Sequence, residues 1–294
     1  FPQIEGRRVS WDQALNHVAE RLGTLIATHG PDAIAFYVSG QLLTEDYYVA
    51  NKLMKGFIGS ANIDTNSRLC MSSSVAGHKR AFGADIVPCN YEDLELADLV
   101  VLTGSNAAWC HPVLFQRLRA AREARPWMRI VVIDPRRTAT CDIADLHLPL
   151  APGTDPMLFG SLLDYLDRTD AVDWQYIVNH TNGYAEAVTA ARQEGDPSRA
   201  AAAACGLAVE DVLEFFEWFR IIEKTVTVYS QGVNQWSFGT DKVNAIINCH
   251  LATGRIGRPG MGPFSFTGQP NAMGGREVGG LANQLAAHMD FEPA

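Results

Sequence analysis

Between Ser10 and Gly30 the apolar residues Ala14, Leu15, Val18, Leu22 and Leu25 recur at three- and four-residue intervals, which predicts an amphipathic helix. Ser10 offers an N-cap hydroxyl and Gly30-Pro31 a stop. The next apolar run, AIAFYVSGQ, is short and ends on polar residues around a glycine, as a strand does, and TEDYYVANKLMKGFIGS starts on a cap residue and predicts a second helix. The order strand, helix, strand returns in DLVVLTGSN, HPVLFQRLRAAREA and RIVVIDPRRT, at the length of a parallel crossover. DLHLPLAPGTD adds a short strand and turn, and DPMLFGSLLDYLDR a helix beginning near Pro156. Residues 170–220 read as helical, with Val212, Phe215, Phe216 and Phe219 facing inward. TVTVYSQGVNQ then reads as a strand turning at Gly232, followed by the helix DKVNAIINCHLATG.

This alternation predicts an α/β fold: two related Rossmann-like domains with mostly parallel sheets, the second inserted into the first. TVTVYSQG resembles AIAFYVSGQ and both precede helices, so the two strands are expected side by side in one sheet. Residues 1–95 with 222–294 then form a discontinuous α/β domain, and 96–221 an inserted dinucleotide-binding domain.

Composition narrows the classes of function. The chain has 294 residues, 47% hydrophobic and 19% charged, which is enough to bury a core and too apolar for disorder. A net charge of -9 argues against a nucleic-acid backbone or an anionic membrane as the main partner, since either requires a basic face. The six cysteines, Cys70, Cys89, Cys110, Cys141, Cys205 and Cys249, are widely spaced and form no C-x-x-C pair, the pattern of thiols in a reducing compartment. No window approaches about 18 consecutive apolar residues, and no basic segment leads into an apolar one at the start. A cytoplasmic location is expected. The sequence opens at Phe1-Pro2 and stops at DFEPA, so it is expected to be a piece of a longer protein.

Three loops carry candidate chemistry. Gly104, Ser105 and Asn106 fall where a strand ends and a helix begins, a position whose backbone N–H groups accept phosphate, although Gly-Ser-Asn is equally a good turn. Asp134 follows at about the distance of a ribose-binding acid, with Arg136 and Arg137 able to pair with phosphate, or to stand in a solvated loop. Gly153, Thr154 and Asp155 end a further strand, where Asp155 either accepts from the ring and exocyclic N–H groups of a guanine or caps the helix after it. Residues 251–280 contain nine glycines together with Met261, Phe264, Phe266 and Met273, which points to close backbone approach to a bulky ligand. Arg276, in the same stretch, suits an anion or a surface ion pair with Glu277.

Cys70, in NSRLCMSSSVAG, has several readings. A lone cysteine is most often a small buried hydrophobe. A hydrolytic nucleophile needs a presented His base, and although His78 follows eight positions on, no nucleophile signature surrounds the thiol. Zinc needs about four clustered ligands, which the sequence does not supply.

The segments NSRLCMSSSVAGHKRAFGAD, VVLTGSNAAWCHPVL, VVIDPRRTATCDIADLHLPLAPGTD and GPFSFTGQPNAMGGREVGGL, in this order, resemble the molybdopterin oxidoreductase family and within it the assimilatory nitrate reductases. The resemblance covers essentially the whole chain. It implies an enzyme carrying molybdenum in bis(molybdopterin guanine dinucleotide), with Cys70 as the protein ligand to the metal, and a soft thiolate suits so sulfur-rich a centre. It implies further that Gln41 and Asn66 contact the pterin and that Gly104, Ser105 and Asn106 cradle one dinucleotide. Asp134, Arg136, Arg137 and Asp155 would lie at its guanosine end. Gln231 and Gln235 would serve the cofactor from the companion strand, and Met71 and Arg276 would line the substrate pocket. Formate dehydrogenases of the family usually place His after the metal-ligating residue; this chain has Met71, as nitrate reductases do. The implied reaction takes one oxygen from nitrate with two electrons from molybdenum and releases nitrite, Arg276 orienting the anion.

Family members also carry a [4Fe–4S] cluster on closely spaced cysteines, and no such run occurs in this sequence. The cluster is therefore expected in the parent protein, and the isolated fragment is expected to be inactive. The electron donor is left open among ferredoxin, flavodoxin and an NADH-linked subunit. The alternatives are a formate dehydrogenase or other molybdopterin oxidoreductase and, below it, a non-catalytic scaffold of the same fold.

Overall fold

The computed structural model describes residues 1–279. Gly280 and the DFEPA terminus, both used in the sequence reading, lie outside the described residues. Contacts divide the chain into two units, Phe1–Leu69 with the segment beginning at Gln269, and Cys70–Gly268.

In the first unit, helix α1 spans Trp11–His29 and opens on the expected cap. The Gln13 N–H donates to Ser10 Oγ at 3.2 Å and the Ser10 N–H to Gln13 Oε1 at 3.0 Å, a reciprocal capping box. None of its 19 residues is buried, and Trp11, Leu15 and Val18 along one stripe are exposed. Strand β1, Phe36–Val38, pairs in parallel with β2, Ile63–Thr65. Between them α2, Thr44–Lys52, starts one residue earlier than the cap expected at Thr44: Leu43 is the N-cap residue, and its N–H is met by Asp46 Oδ2 at 3.3 Å. A small core of Ile34, Tyr47, Met54 and Ile63 holds these pieces together. The Tyr47 hydroxyl donates to the Ser39 carbonyl at 2.6 Å, and the helix Ala272–Glu277 belongs to the same unit.

The second unit begins with α3, Ser72–Phe82, directly after Cys70-Met71. It continues through β3 (Leu99–Thr103), α4 (Pro112–Ala124), β4 (Arg129–Ile133), β5 (Leu146–Leu148) and α5 (Asp155–Arg168). After α6 (Pro197–Cys205) and α7 (Val209–Ile221) come β6 (Thr225–Tyr229), α8 (Gly239–Ala252) and β7 (Gly262–Ser265). The five strands are all parallel in the order β5-β4-β3-β6-β7. Every residue of β3 and β6 is buried, as a parallel sheet covered on both faces requires. Successive side chains feed opposite cores. Leu99, Val101, Val131 and Ile133 meet Phe159, Phe215 and Phe216 on one side, while Val100, Leu102, Ile130 and Val132 meet Leu118 and Phe264 on the other. From β3 the chain runs outward through β4 to β5 and then returns to the far side of β3 with β6. The reversal between β3 and β6 makes their C-terminal ends a topological switch point, the place where open parallel sheets bind ligands.

Two expectations are corrected. TVTVY does not pair with AIAFYV: β6 lies between β3 and β7, and β1 pairs with β2. The reason is burial, because the five residues of β6 are buried throughout and need a neighbour on each edge, whereas β1 exposes Tyr37. The chain accordingly divides at 69/70 and 268/269, not at 95/96 and 221/222, and residues 96–221 share one sheet with 225–265. The glycine-rich stretch is also used in part for packing of the protein on itself. Gly262 has φ +132, and a Cβ there would meet Cys89 Sγ at 2.8 Å.

Candidate functional site

The C-terminal edge of the five-stranded sheet gathers most of the predicted residues. Gly104 ends β3 with φ +56, and its carbonyl accepts the Gly232 N–H at 3.0 Å from the turn after β6. A Cβ on Gly104 would lie 2.8 Å from the Gly232 carbonyl carbon, so both strand ends are backbone at their closest point. Ser105 is buried and its Oγ has no hydrogen-bond partner among the described residues. Asn106 is engaged locally: the Thr140 hydroxyl donates to its Oδ1 at 3.0 Å and accepts the Ala108 N–H at 3.2 Å.

Cys70 comes to this edge from the start of the unit. Gln231, just past the end of β6, donates through Nε2 to Cys70 Sγ at 2.9 Å, and Asn234 Nδ2 donates to the Cys70 carbonyl at 2.6 Å. The Ser230 hydroxyl in turn binds Gln231 Oε1. Met71 is buried, with its sulfur 3.6 Å from Gln231 Nε2. Behind them α3 packs tightly on α8, because Gly77 has no side chain: a Cβ there would lie 2.7 Å from Val243 Cγ1, and Asn244 Nδ2 donates to the Gly77 carbonyl at 2.8 Å. His78 Nε2 and the Tyr229 hydroxyl, 2.7 Å apart in the interior, tie the same helix to β6, and burial pushes the Tyr229 phenol well above its ordinary range.

The six cysteines are all unbridged. Burial pushes the thiols of Cys89, Cys141, Cys205 and Cys249 up, which suits inert core residues. Cys70 is half-buried, and among the described residues it alone of the six has its sulfur hydrogen-bonded by a residue at the switch point. Among the described residues no group of three or more His, Cys, Asp or Glu side chains is arranged to hold a metal ion.

Further along the edge, Asp134 Oδ1 accepts the Arg136 N–H at 2.8 Å, while Arg136 and Arg137 are exposed. After β5, Gly153 has φ +91 and a Cβ on it would meet the Trp236 ring at 3.0 Å. The Thr154 hydroxyl donates to the Ala151 carbonyl at 2.7 Å. Asp155, buried at the first turn of α5, pairs with Lys242 Nζ at 2.7 Å. Gln235 is exposed at the end of the short helix Gln231–Asn234.

The remaining predicted residues belong to the other unit. Gln41 is exposed, its N–H 3.3 Å from Ser39 Oγ. Asn66 Oδ1 accepts the Gly40 N–H at 2.9 Å and closes the loop after β1. Arg276 is buried, with Nη1 3.0 Å from Met273 Sδ.

Sequence reasoning missed Asn234, Trp236 and Lys242. Asn234 stands between Gln231 and Gln235 of QGVNQ, the two residues expected at the cofactor. Lys242 did leave a signal, since it shares the helix face of Ile246 and His250 at four-residue spacing, and both are fully buried.

A model of the molybdopterin oxidoreductase family matches residues 5–291. A nitrate reductase of Klebsiella oxytoca is 60% identical over 293 residues, covering 100% of this chain and 33% of that protein. A periplasmic nitrate reductase of Desulfovibrio desulfuricans is 39% identical over 286 residues, covering 94% of this chain and 38% of that protein. Among solved structures, acetylene hydratase from Pelobacter acetylenicus matches with a TM-score of 0.61 at 24% identity, over 84% of this chain and 33% of that one, a likeness of fold. The chain thus spans about a third of the length of the first of these relatives. With a match over nearly its whole length, the chain belongs to the molybdopterin oxidoreductase family.

Proposed function

We propose that this chain is part of the cofactor-binding core of a molybdenum-dependent nitrate reductase, reducing nitrate to nitrite and water with two electrons and two protons. The observation that carries the reading is the half-buried Cys70 thiol, held by Gln231 at the switch point of a parallel sheet, in a chain 60% identical to a nitrate reductase.

The residues fit a bis(molybdopterin guanine dinucleotide) cofactor. Cys70 offers a soft sulfur, and the buried Ser105 hydroxyl, without a partner among the described residues, awaits an acceptor. When bound, the reduced molybdenum centre would supply two electrons and take up an oxygen atom. Cys70 Sγ would ligate the metal, with the Gln231 amide keeping its N–H on the sulfur and Asn234 fixing the Cys70 carbonyl. Ser105 would donate to a phosphate, and Arg136 and Arg137, both exposed, would supply cations beside it. Met71 presents an apolar, water-excluding surface next to the thiol. Arg276 would draw and orient the nitrate anion.

A [4Fe–4S] cluster elsewhere in the parent protein and an electron donor among ferredoxin, flavodoxin and an NADH-linked subunit complete the reading. The unpaired, widely spaced cysteines favour the cytoplasm. No helix among the described residues is long and apolar enough to cross a membrane.

The full-length protein should contain about one molybdenum per chain and reduce nitrate with a reduced viologen dye, and Cys70→Ala should lose both properties. Metal content and nitrate reduction that survive this substitution, or formate oxidation without nitrate reduction in the unaltered protein, overturn the reading.

A further inference from the structure

Lys242 is a lysine with 1% of its surface exposed, and the nitrate-reducing chemistry above gives it no task. Its Nζ lies 2.7 Å from Asp155 Oδ2 and 4.7 Å from the centre of the Trp236 ring. The same ring is what a Cβ on Gly153 would strike, at 3.0 Å. One indole therefore covers both the ammonium and the loop that precedes Asp155. α8 supplies the lysine and α5 the carboxylate, so the pair joins the turn after β6 to the turn after β5 along the C-terminal edge of the sheet.

A buried ion pair brings little net stability, because desolvation of two charges offsets their attraction, but it fixes geometry. Lys242 meets the carboxylate at Oδ2. An ionised carboxylate is acceptor-only. Held in this pose at the first turn of a helix, it is complementary to a ring edge with two adjacent N–H donors, such as guanine, and not to the corresponding edge of cytosine, which presents a ring acceptor and a carbonyl.

We propose that Lys242 is a positioning residue that holds Asp155 in the acceptor pose and so sets the base selectivity of the dinucleotide site; the proposal rests on the cofactor reading given above. Trp236 shields the pair and keeps the Gly153 loop against it.

The test uses the full-length protein produced in a host unable to make molybdopterin, with guanosine 5′-monophosphate and cytidine 5′-monophosphate as probes in titration calorimetry. The unaltered protein should prefer the guanine nucleotide. Lys242→Met should lower that preference about tenfold, as loss of an outer partner does at comparable sites, and Lys242→Arg should retain most of it. A purely structural role would weaken both nucleotides equally and leave the ratio unchanged, which overturns the proposal, as does an unaltered ratio with unaltered affinities. Equal affinities in the unaltered protein instead overturn the guanine reading itself. Should Lys242→Met not fold, Asp155→Asn/Lys242→Met removes both buried charges and should show the ratio of Asp155→Asn alone; a further change in the ratio overturns the proposal.

Discussion

In the unit of residues 70–268, strands β3 and β6 are buried at every position and aromatic side chains from α5 and α7 close one face of the sheet, whereas α1 in the other unit buries none of its 19 residues. Among the described residues, that other unit has a single pair of three-residue parallel strands and a core of Ile34, Tyr47, Met54 and Ile63. Both contain strand and helix in alternation, so the pattern alone does not separate them. The difference is area: a two-stranded pair is marginal in water, while a sheet covered on both faces removes its whole backbone from solvent. The unit with the complete sheet also holds Cys70 and its partners, as a site that depends on a 2.9 Å contact requires a rigid support.

The comparison is broken most severely from the large core. Phe216→Ala, within the cluster against the sheet, should cost about 3–5 kcal/mol, read as a lowered denaturation midpoint. A loss below about 1 kcal/mol would mean that the large unit is less tightly packed than its burial implies.

A smaller effect sharpens it from the other side. Tyr47→Phe removes the hydroxyl bonded to the Ser39 carbonyl, at about 1 kcal/mol. Amide exchange should quicken in residues 36–65 and stay unchanged in β3 and β6. Equal quickening in both units would show that they open as one.

The smallest effect lies at a cap within the large unit. Asp196 accepts from the Ser198 hydroxyl and the Ser198 and Arg199 N–H groups at the start of α6, and these bonds hold its carboxyl below the usual range. A folded-state value below the unfolded one of about 3.9 contributes stability that is present above that value and lost as pH falls through the folded one. Asp196→Ala should therefore cost about 1 kcal/mol near neutral pH, and the gap to the unaltered protein should close in strong acid. A gap that is constant with pH would point to packing, not to charge.

Much of this was legible along the chain. Ser10 caps α1 as expected, and Val212, Phe215, Phe216 and Phe219 turn inward as their helical period requires. The loops at Gly104, Asp134 and Asp155 follow strands β3, β4 and β5, as the change from apolar run to Gly, Asp and Pro indicated. The parallel pairing of β3 with β4 followed from their strand, helix, strand order, but the neighbours of β6 were not legible, because apolar runs such as AIAFYV and TVTVY carry the same local pattern whatever stands beside them. The glycines of residues 251–280 point toward a ligand, yet the room that Gly262 provides is taken by Cys89, a residue 173 positions earlier in the chain.

The sequence by itself determined the α/β alternation, the residues that end each strand and the family to which their order belongs, since these depend on local periodicity and on side-chain chemistry. Only the tertiary structure decided that β6 stands beside β3, that Gln231 reaches Cys70 and that Lys242 faces Asp155. Each of those contacts joins residues far apart in the chain, and such contacts are selected by the packing of whole faces against one another, which no short window of sequence records.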